Sequence, residues 1–247
     1  MRVLGVDESR ADRVWELITG YATGGSVSVR DVCAACVPAL GMDGAALWVA
    51  SDLHRRLLMH ATDRVADVLH EAQFTLGEGP CVQAWTERAM VLAPGLSSSD
   101  SEARWPVFVP AAISAGAGAV FAFPLQVGAI RVGVLDLYRK RPGPLSEEQL
   151  ADALVFTSIA LTLTLRQSRP ETDETPLLEQ SPSPDGLSRG HVEVYQATGM
   201  IAAQLDTGLE EALVRLRAHA FAHDMSVTDA ARLVVERRLR FRPNDDD

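Results

Sequence analysis

The stretch "SRPETDETPLLEQSPSPDGLSRG", Ser168–Gly190, constrains this chain more than any other. Four prolines (Pro170, Pro176, Pro182, Pro184) and a run of acids leave it few large apolar residues, Leu177 and Leu178 among them. Such a segment buries too little surface to offset the entropy of ordering it, so residues 169–187 are expected to form a flexible linker. The chain must then fold as two units, a front one over residues 8–168 and a smaller back one over 188–242. Residues 243–247 add an acidic tail.

Composition narrows the classes. The chain is 47% apolar and 23% charged, with a formal net charge of −10. That is the balance of a globular protein and argues against broad, nonspecific binding to nucleic acid or anionic membranes. The opening "MRVLGVDESR" lacks the basic start and long apolar run of a secretory leader. The most apolar stretch, "ALVFTSIALTLTL" (Ala153–Leu165), carries four hydroxyl residues and is too short to span a bilayer. Three cysteines are too few for a disulfide scaffold, so a reducing, cytoplasmic setting without membrane contact is expected.

The front unit alternates helical and strand signals. "ADRVWELITGYA", "VRDVCAACVPAL", "ADVLHEAQF" and "CVQAWTERA" have helical spacing. "GAALWVAS" and "RRLLMHATD" have the character of strands joined by a polar turn through Asp52. "GAVFAFPLQVG" and "AIRVGVLDLYRK" make a hairpin around Gly128. A long helix follows in "LSEEQLADALVFTSIALTLTLRQ", opened by a capping box of Ser146 and Gln149. Helices interleaved with antiparallel strands predict an α+β sheet with helices packed on it. The back unit predicts three helices: Gly190–Leu205, one opened by a Thr207–Glu210 capping box, and one running from Ser226 to Phe241. Its small core of Ala, Val and Leu makes dimerisation a fair expectation.

Chemistry is sparse. Cys33 and Cys36 share a helix face with Val32 and Val37 and have no second cysteine or histidine pair beside them, which favours core packing over a metal or redox site. His54, His60 and His70 lack any recognisable ligand or base arrangement. Asp136, inside "GVLDLY", is either a poised carboxylate or, more simply, an outward-facing strand residue. No phosphate-binding glycine loop or nucleophile turn is present, so no catalytic residues, metal site or resident cofactor are expected. "LGEGPC", Leu76–Cys81, fixes a turn before a helix; it is either only that or the rim of a small-ligand pocket lined by backbone amides.

The element order from Asp12 to Gln167, "LGEGPC" followed by "AW", and the hairpin "FAFPLQVGAIRVGVLDLY" together resemble a GAF sensory domain. That resemblance implies a six-stranded antiparallel sheet with packed helices and a pocket for an unidentified small molecule, here at Trp48, Gly79, Cys81, Trp85 and Phe121. The chromophore-attachment context of phytochrome GAF domains and the N-K-x-n-F-x-x-x-D-E pattern of cyclic-nucleotide-binding ones are absent.

The back unit is similar to an ANTAR domain, the RNA-binding antiterminator module of bacterial regulators. The pattern comprises A-x-G-M at Ala197, Gly199 and Met200, then E-A-L at Glu211–Leu213. L-R-x-x-A at Leu216, Arg217 and Ala220 and D-A-A-x-x-V-V from Asp229 complete it. Thr198 stands where many relatives carry lysine. Small residues at Ala197, Gly199, Ala202 and Ala203 are expected to admit a closely crossing helix.

GAF followed by ANTAR is an arrangement of actinobacterial type. It implies a homodimeric regulator that binds stem-loops in nascent RNA through Tyr195, Thr198, Arg215, Arg217, Arg232, Arg237 and Arg238. Residues 190–242 hold seven arginines against seven acids, so this unit escapes the acid excess of the rest. Arginine planes and an aromatic ring suit unstacked loop bases. Two other readings stay open: a DNA-binding module of helix-turn-helix type, and a redox or small-molecule sensor using Cys33, Cys36 or Cys81 and acting through a protein partner.

Overall fold

A computed structural model describes residues 8–22, 25–50, 56–167, 189–223 and 225–242. The proposed linker, His54, the turn through Asp52 and the acidic tail lie outside the described residues.

Helices α1 (Glu8–Thr19) and α2 (Val29–Ala39) lead into strands β1 (Gly44–Ala50) and β2 (Arg56–Ala61). Helices α3 (Arg64–Leu76) and α4 (Pro80–Glu87) follow, then strand β3 (Val91–Ala93) and two short helices, α5 (Ser99–Arg104) and α6 (Phe108–Ser114). The hairpin β4 (Ala119–Val127) and β5 (Ile130–Arg139) and the long helix α7 (Glu147–Gln167) complete the front unit. Among the described residues the sheet has five strands in the order β2-β1-β5-β4-β3, every pair antiparallel. The expectation of six strands is corrected to five.

Both faces of this sheet are covered, which is why β1 is buried at all seven positions. Because side chains alternate along a strand, each face takes every second residue. On one face Leu47, Phe121, Phe123, Leu135 and Leu137 pack with Val14, Ile18, Cys33, Cys36 and Phe156 from α1, α2 and α7. On the other, Trp48, Val120, Val134 and Tyr138 pack with Leu69, Cys81, Trp85 and Phe108 from α3, α4 and α6. Helix α7 alone among the described helices is long and apolar enough to cross a membrane, being longer than its apolar stretch suggested. Here it packs against α1, α2 and β4. The Ser146 box that opens it is formed: Gln149 N–H donates to Ser146 Oγ at 3.2 Å, and Ser146 N–H to Gln149 Oε1 at 2.9 Å.

Helices α8 (Arg189–Leu205), α9 (Leu209–Ala222) and α10 (Val227–Val235) form a second core from Val194, Ala197, Ile201, Leu213, Leu216, Ala220, Val227, Ala230 and Val234. Ser226 caps α10, accepting from Asp229 N–H at 3.0 Å. The Thr207 box is not formed: Gly208 is the N-cap of α9, without a side-chain cap. Helix α10 also stops six residues short of the expected Phe241. Arg237 takes a left-handed φ of 60°, and Arg238 N–H and Arg237 N–H turn back to Leu233 O and Val234 O. That pairing is a Schellman ending, and it lets Leu239 and Phe241 fold back onto the bundle.

Candidate functional site

Within the front unit, polar chemistry collects on the face of the sheet covered by α3 and α4. The sequence "LGEGPC" positions it. Gly77 ends α3 with a left-handed φ of 69°, and Gly79, at φ 127°, is the N-cap of α4. A Cβ on Gly79 would lie 2.6 Å from Gln73 Cγ and Oε1. Glycine is therefore required twice over: for its backbone angle, and to let the Gln73 amide pass. Gln73, fully buried, uses that space to bridge two elements. Cys81 N–H donates to its Oε1 at 2.8 Å, and its Nε2 donates to Asp136 Oδ2 at 2.9 Å. Glu78, between the glycines, accepts from Val107 N–H and Phe108 N–H at 2.7 Å each, so the loop also anchors the start of α6.

Aromatic rings close the rest of this space. Trp48 and Trp85 lie 5.3 Å apart between centroids and tilted by 43°, with His70 6.3 Å from Trp48. The Arg131 guanidinium covers the outer side of Trp85 at 4.9 Å. At the other end Tyr138 donates its hydroxyl to Asp63 Oδ2 at 2.8 Å, while Asp63 Oδ1 caps α3 through Ala66 N–H at 2.7 Å. Burial first, then the hydrogen bond to Asp63 and the charges of Asp63 and Asp43, push the Tyr138 hydroxyl well above the ordinary phenol range. Tyr138 therefore stays a neutral donor.

Four of the five expected pocket residues, Trp48, Gly79, Cys81 and Trp85, are brought to this site. Phe121 is not: it points to the opposite face among Leu135, Leu137 and Phe156, with Arg139 5.6 Å from its ring. Register explains the error, since Val120 and Ala122, its neighbours on β4, are the ones that face α3 and α4. A small space also opens on this face among the described residues. The space bounded by Ala46, Ala66, Leu69, Gln73, Val120, Asp136 and Tyr138 is about 10 Å³. That is near the volume of one water position and far below the several hundred Å³ of a ligand pocket. The α4 amide expected to face a ligand faces Gln73. Asp136, for which an outward position was the simpler reading, is 7% exposed and points inward. Sequence reasoning missed Gln73 altogether; a polar residue on the apolar face of α3 was the available signal.

The cysteines behave as core residues. Cys33, Cys36 and Cys81 are buried, and burial pushes the Cys33 thiol up to about 12 and raises that of Cys36 as well. Cys36 Sγ donates to Cys33 O at 3.3 Å. Among the described residues no group of His, Cys, Asp and Glu is arranged to hold a metal ion.

In the back unit the residues expected to meet RNA are dispersed. Thr198 is 6% exposed and donates its hydroxyl to Val194 O at 2.7 Å, so it is withdrawn from that surface. Tyr195 is half-buried on α8. Arg215 pairs with Glu211 on α9 at 3.0 Å, and Arg238 with Glu236 at 3.3 Å. Arg232 reaches Asp229 at 3.3 Å and Glu193 of α8 at 3.4 Å. Arg237 and Arg238 lie beyond the end of α10, not along it. The Arg217 guanidinium lies 5.4 Å from the ring centroid of Phe74, a residue of α3. Gly199 also departs from expectation: it is exposed, and a Cβ there would have no heavy atom within 4 Å. The close packing of α8 runs through Val194, Ala197 and Ile201 instead.

A sequence profile of the GAF domain family matches residues 28–157. No curated protein matches the chain. Among solved structures, the GAF domain of an Acinetobacter phosphoenolpyruvate-protein phosphotransferase is 15% identical, with 64% of this chain and 92% of that one covered and a TM-score of 0.46. The GAF-B domain of DevS from Mycobacterium smegmatis is 19% identical over 57% of this chain and 92% of that one, at a TM-score of 0.41. A free methionine-R-sulfoxide reductase from Neisseria meningitidis is 16% identical over 68% of this chain and all of that one, at a TM-score of 0.43.

Proposed function

We propose that this chain, which belongs to the GAF domain family, is a regulator whose GAF unit controls an RNA-binding unit of the ANTAR type built from α8–α10. The observation that carries the reading is the back unit's pattern in its setting. A-x-G-M, E-A-L, L-R-x-x-A and D-A-A-x-x-V-V fall on three helices that share one core, and Ala197, Leu213, Leu216, Ala220, Ala230 and Ala231 from those motifs all lie inside it. The proposed action is antitermination: binding to stem-loops of a nascent transcript so that the terminator does not form, with no chemical step. Arg215, Arg217, Arg232, Arg237 and Arg238, on α9, on α10 and past its end, supply the phosphate and base contacts. A homodimer working in the cytoplasm presents two such surfaces to paired loops. In the GAF unit the buried Trp48, Trp85 and Gln73 are the side chains that an effector entering the sheet cluster would meet.

Retention of labelled RNA by the full-length protein tests this. A two-hairpin RNA, an unstructured RNA of the same composition and a duplex DNA are compared across a salt series. The reading expects hairpin-selective binding that weakens as salt rises. Arg232→Ala and Arg238→Ala should each lower the salt slope by about one if the arginine neutralises a single phosphate. Preference for duplex DNA would move the unit to the helix-turn-helix class, and equal retention of all three nucleic acids would remove the antiterminator reading.

A further inference from the structure

Helix α3 belongs to two cores at once. Its residues Ala66, Leu69 and Gln73 face the sheet. Glu71, Phe74 and Gly77, three apart and so on a common side, face the back unit. Phe74 is fully buried, and the buried residues it clusters with are those of α8–α10, among them Val194, Leu216 and Val234. Thr228 of α10 donates its hydroxyl to Glu71 Oε1 at 3.0 Å. Arg217 of α9 lies against the Phe74 ring and so close to Gly77 that a Cβ there would sit 3.3 Å from its Nη1.

These contacts form a strip along α3. Beside it a cleft of about 610 Å³ opens between α3, α6 and α9, where Val68 and Val107 of the front unit and Phe221 of the back unit stay partly exposed. Along α3 the described contacts between the two units include the Phe74 ring, the Thr228–Glu71 hydrogen bond and the Arg217 cation–π contact, with the cleft open beside them. Between units of one chain, relative motion is the default unless their interface is large and hydrophobic.

We propose that this strip is an autoinhibitory contact: α3 holds the back unit closed, with Arg217 turned onto Phe74 and away from RNA. The inference rests on the RNA-binding reading above and gives that site its regulation. The closed form is the resting state, and RNA must wait for the units to part. Apparent affinity is then the intrinsic affinity reduced by the fraction of molecules that are open. Because Gln73 ties the same helix to Asp136 and to the start of α4, a change in the sheet cluster that shifts Gln73 moves Phe74 with it.

The test uses the full chain in three forms: wild type, Phe74→Ala, and the milder pair Glu71→Ala with Thr228→Val, which keeps the buried ring if Phe74→Ala fails to fold. Two quantities are read: the radius of gyration by small-angle scattering, and the dissociation constant for the two-hairpin RNA at one salt concentration. Opened variants should be larger and bind that RNA at least about tenfold more tightly, as expected when a closed population of nine-tenths or more is released. Adding Arg217→Ala to the opened variant should cancel most of the gain. Variants that expand but bind the RNA no better than wild type would overturn the autoinhibitory role, as would variants that neither expand nor bind differently. If the variants expand and no form, wild type included, binds the hairpin RNA at that salt concentration or below it, the RNA-binding reading itself falls; measurable wild-type binding that expansion leaves unchanged overturns only the autoinhibitory role.

Discussion

Gln73 Nε2 donates to Asp136 Oδ2 at 2.9 Å, so one side chain of α3 is tied to the middle of β5, sixty-three residues away. Its other amide atom accepts from Cys81 N–H. Removing both hydrogen bonds strands two buried polar groups, each at a cost of about 1–3 kcal/mol. Gln73→Ala should therefore lower stability by roughly 2–4 kcal/mol, more than the missing methylenes of an exposed glutamine could explain. Urea unfolding followed through Trp48 and Trp85 fluorescence checks it. A midpoint unchanged from wild type would mean that water replaces the amide at no cost.

Asp152 of α7, 6% exposed, accepts from Arg10 and Arg13 of α1. The arginines are less buried than the carboxylate, so the two halves of this contact are not equivalent. Asp152→Leu frees two guanidinium groups that can turn to water, and should cost about 1 kcal/mol or less. Arg10→Met with Arg13→Met leaves the carboxylate buried beside apolar neighbours, and should cost about 3–5 kcal/mol. Thermal unfolding of the two variants side by side gives the order, and the double arginine variant should melt well below the other.

How far these contacts were legible differs by their range. The hairpin β4–β5 follows from two β-rich runs around Gly128, and the Ser146 box follows from residues three apart. Strand β3 is three residues long and carries no period to detect. Asp136 looked outward because an acid in an apolar strand usually is; its burial depends on Gln73, which nothing local to β5 announces. Thr198 is hidden for a similar reason: its hydroxyl satisfies the Val194 carbonyl one turn back, so a polar residue can sit on an inward face. The arginines of the back unit are plain in the sequence, but Arg217 lies against Phe74, more than a hundred residues earlier in the chain. Position along α10 misled as well, because the left-handed turn at Arg237 carries the last arginines off the helix.

The three thiols give a direct check on the redox alternative. Cys33, Cys36 and Cys81 are all buried, and the Cys33 thiol is pushed up to about 12 by burial alone. A thiol in that state has almost no thiolate at pH 8, and thiolate is the reactive form. Native protein treated with an aromatic disulfide reagent at pH 8 should release no chromophore within minutes, and urea-unfolded protein should release three equivalents. Rapid reaction of even one thiol in the native state would reopen a redox role for it.

His219 stacks on His223 at 4.0 Å between centroids and meets the edge of Phe241 at 5.6 Å. Partial burial first, and the neighbouring His223 second, lower its pKa below the usual 6.5. The unfolded chain therefore takes up its proton before the folded chain does as pH falls through 6.5. Above that value both states are neutral there and the residue adds no pH dependence; below it the fold loses stability. His60 in the front unit is shifted the same way, by burial and then by Arg30, so the wild-type melting temperature should fall between pH 7.5 and 5.5 for both reasons. His219→Gln should flatten part of that fall and leave the rest, a difference read from melts of the two proteins at matched pH. An identical pH profile would mean that His219 titrates as freely in the bundle as in the unfolded chain.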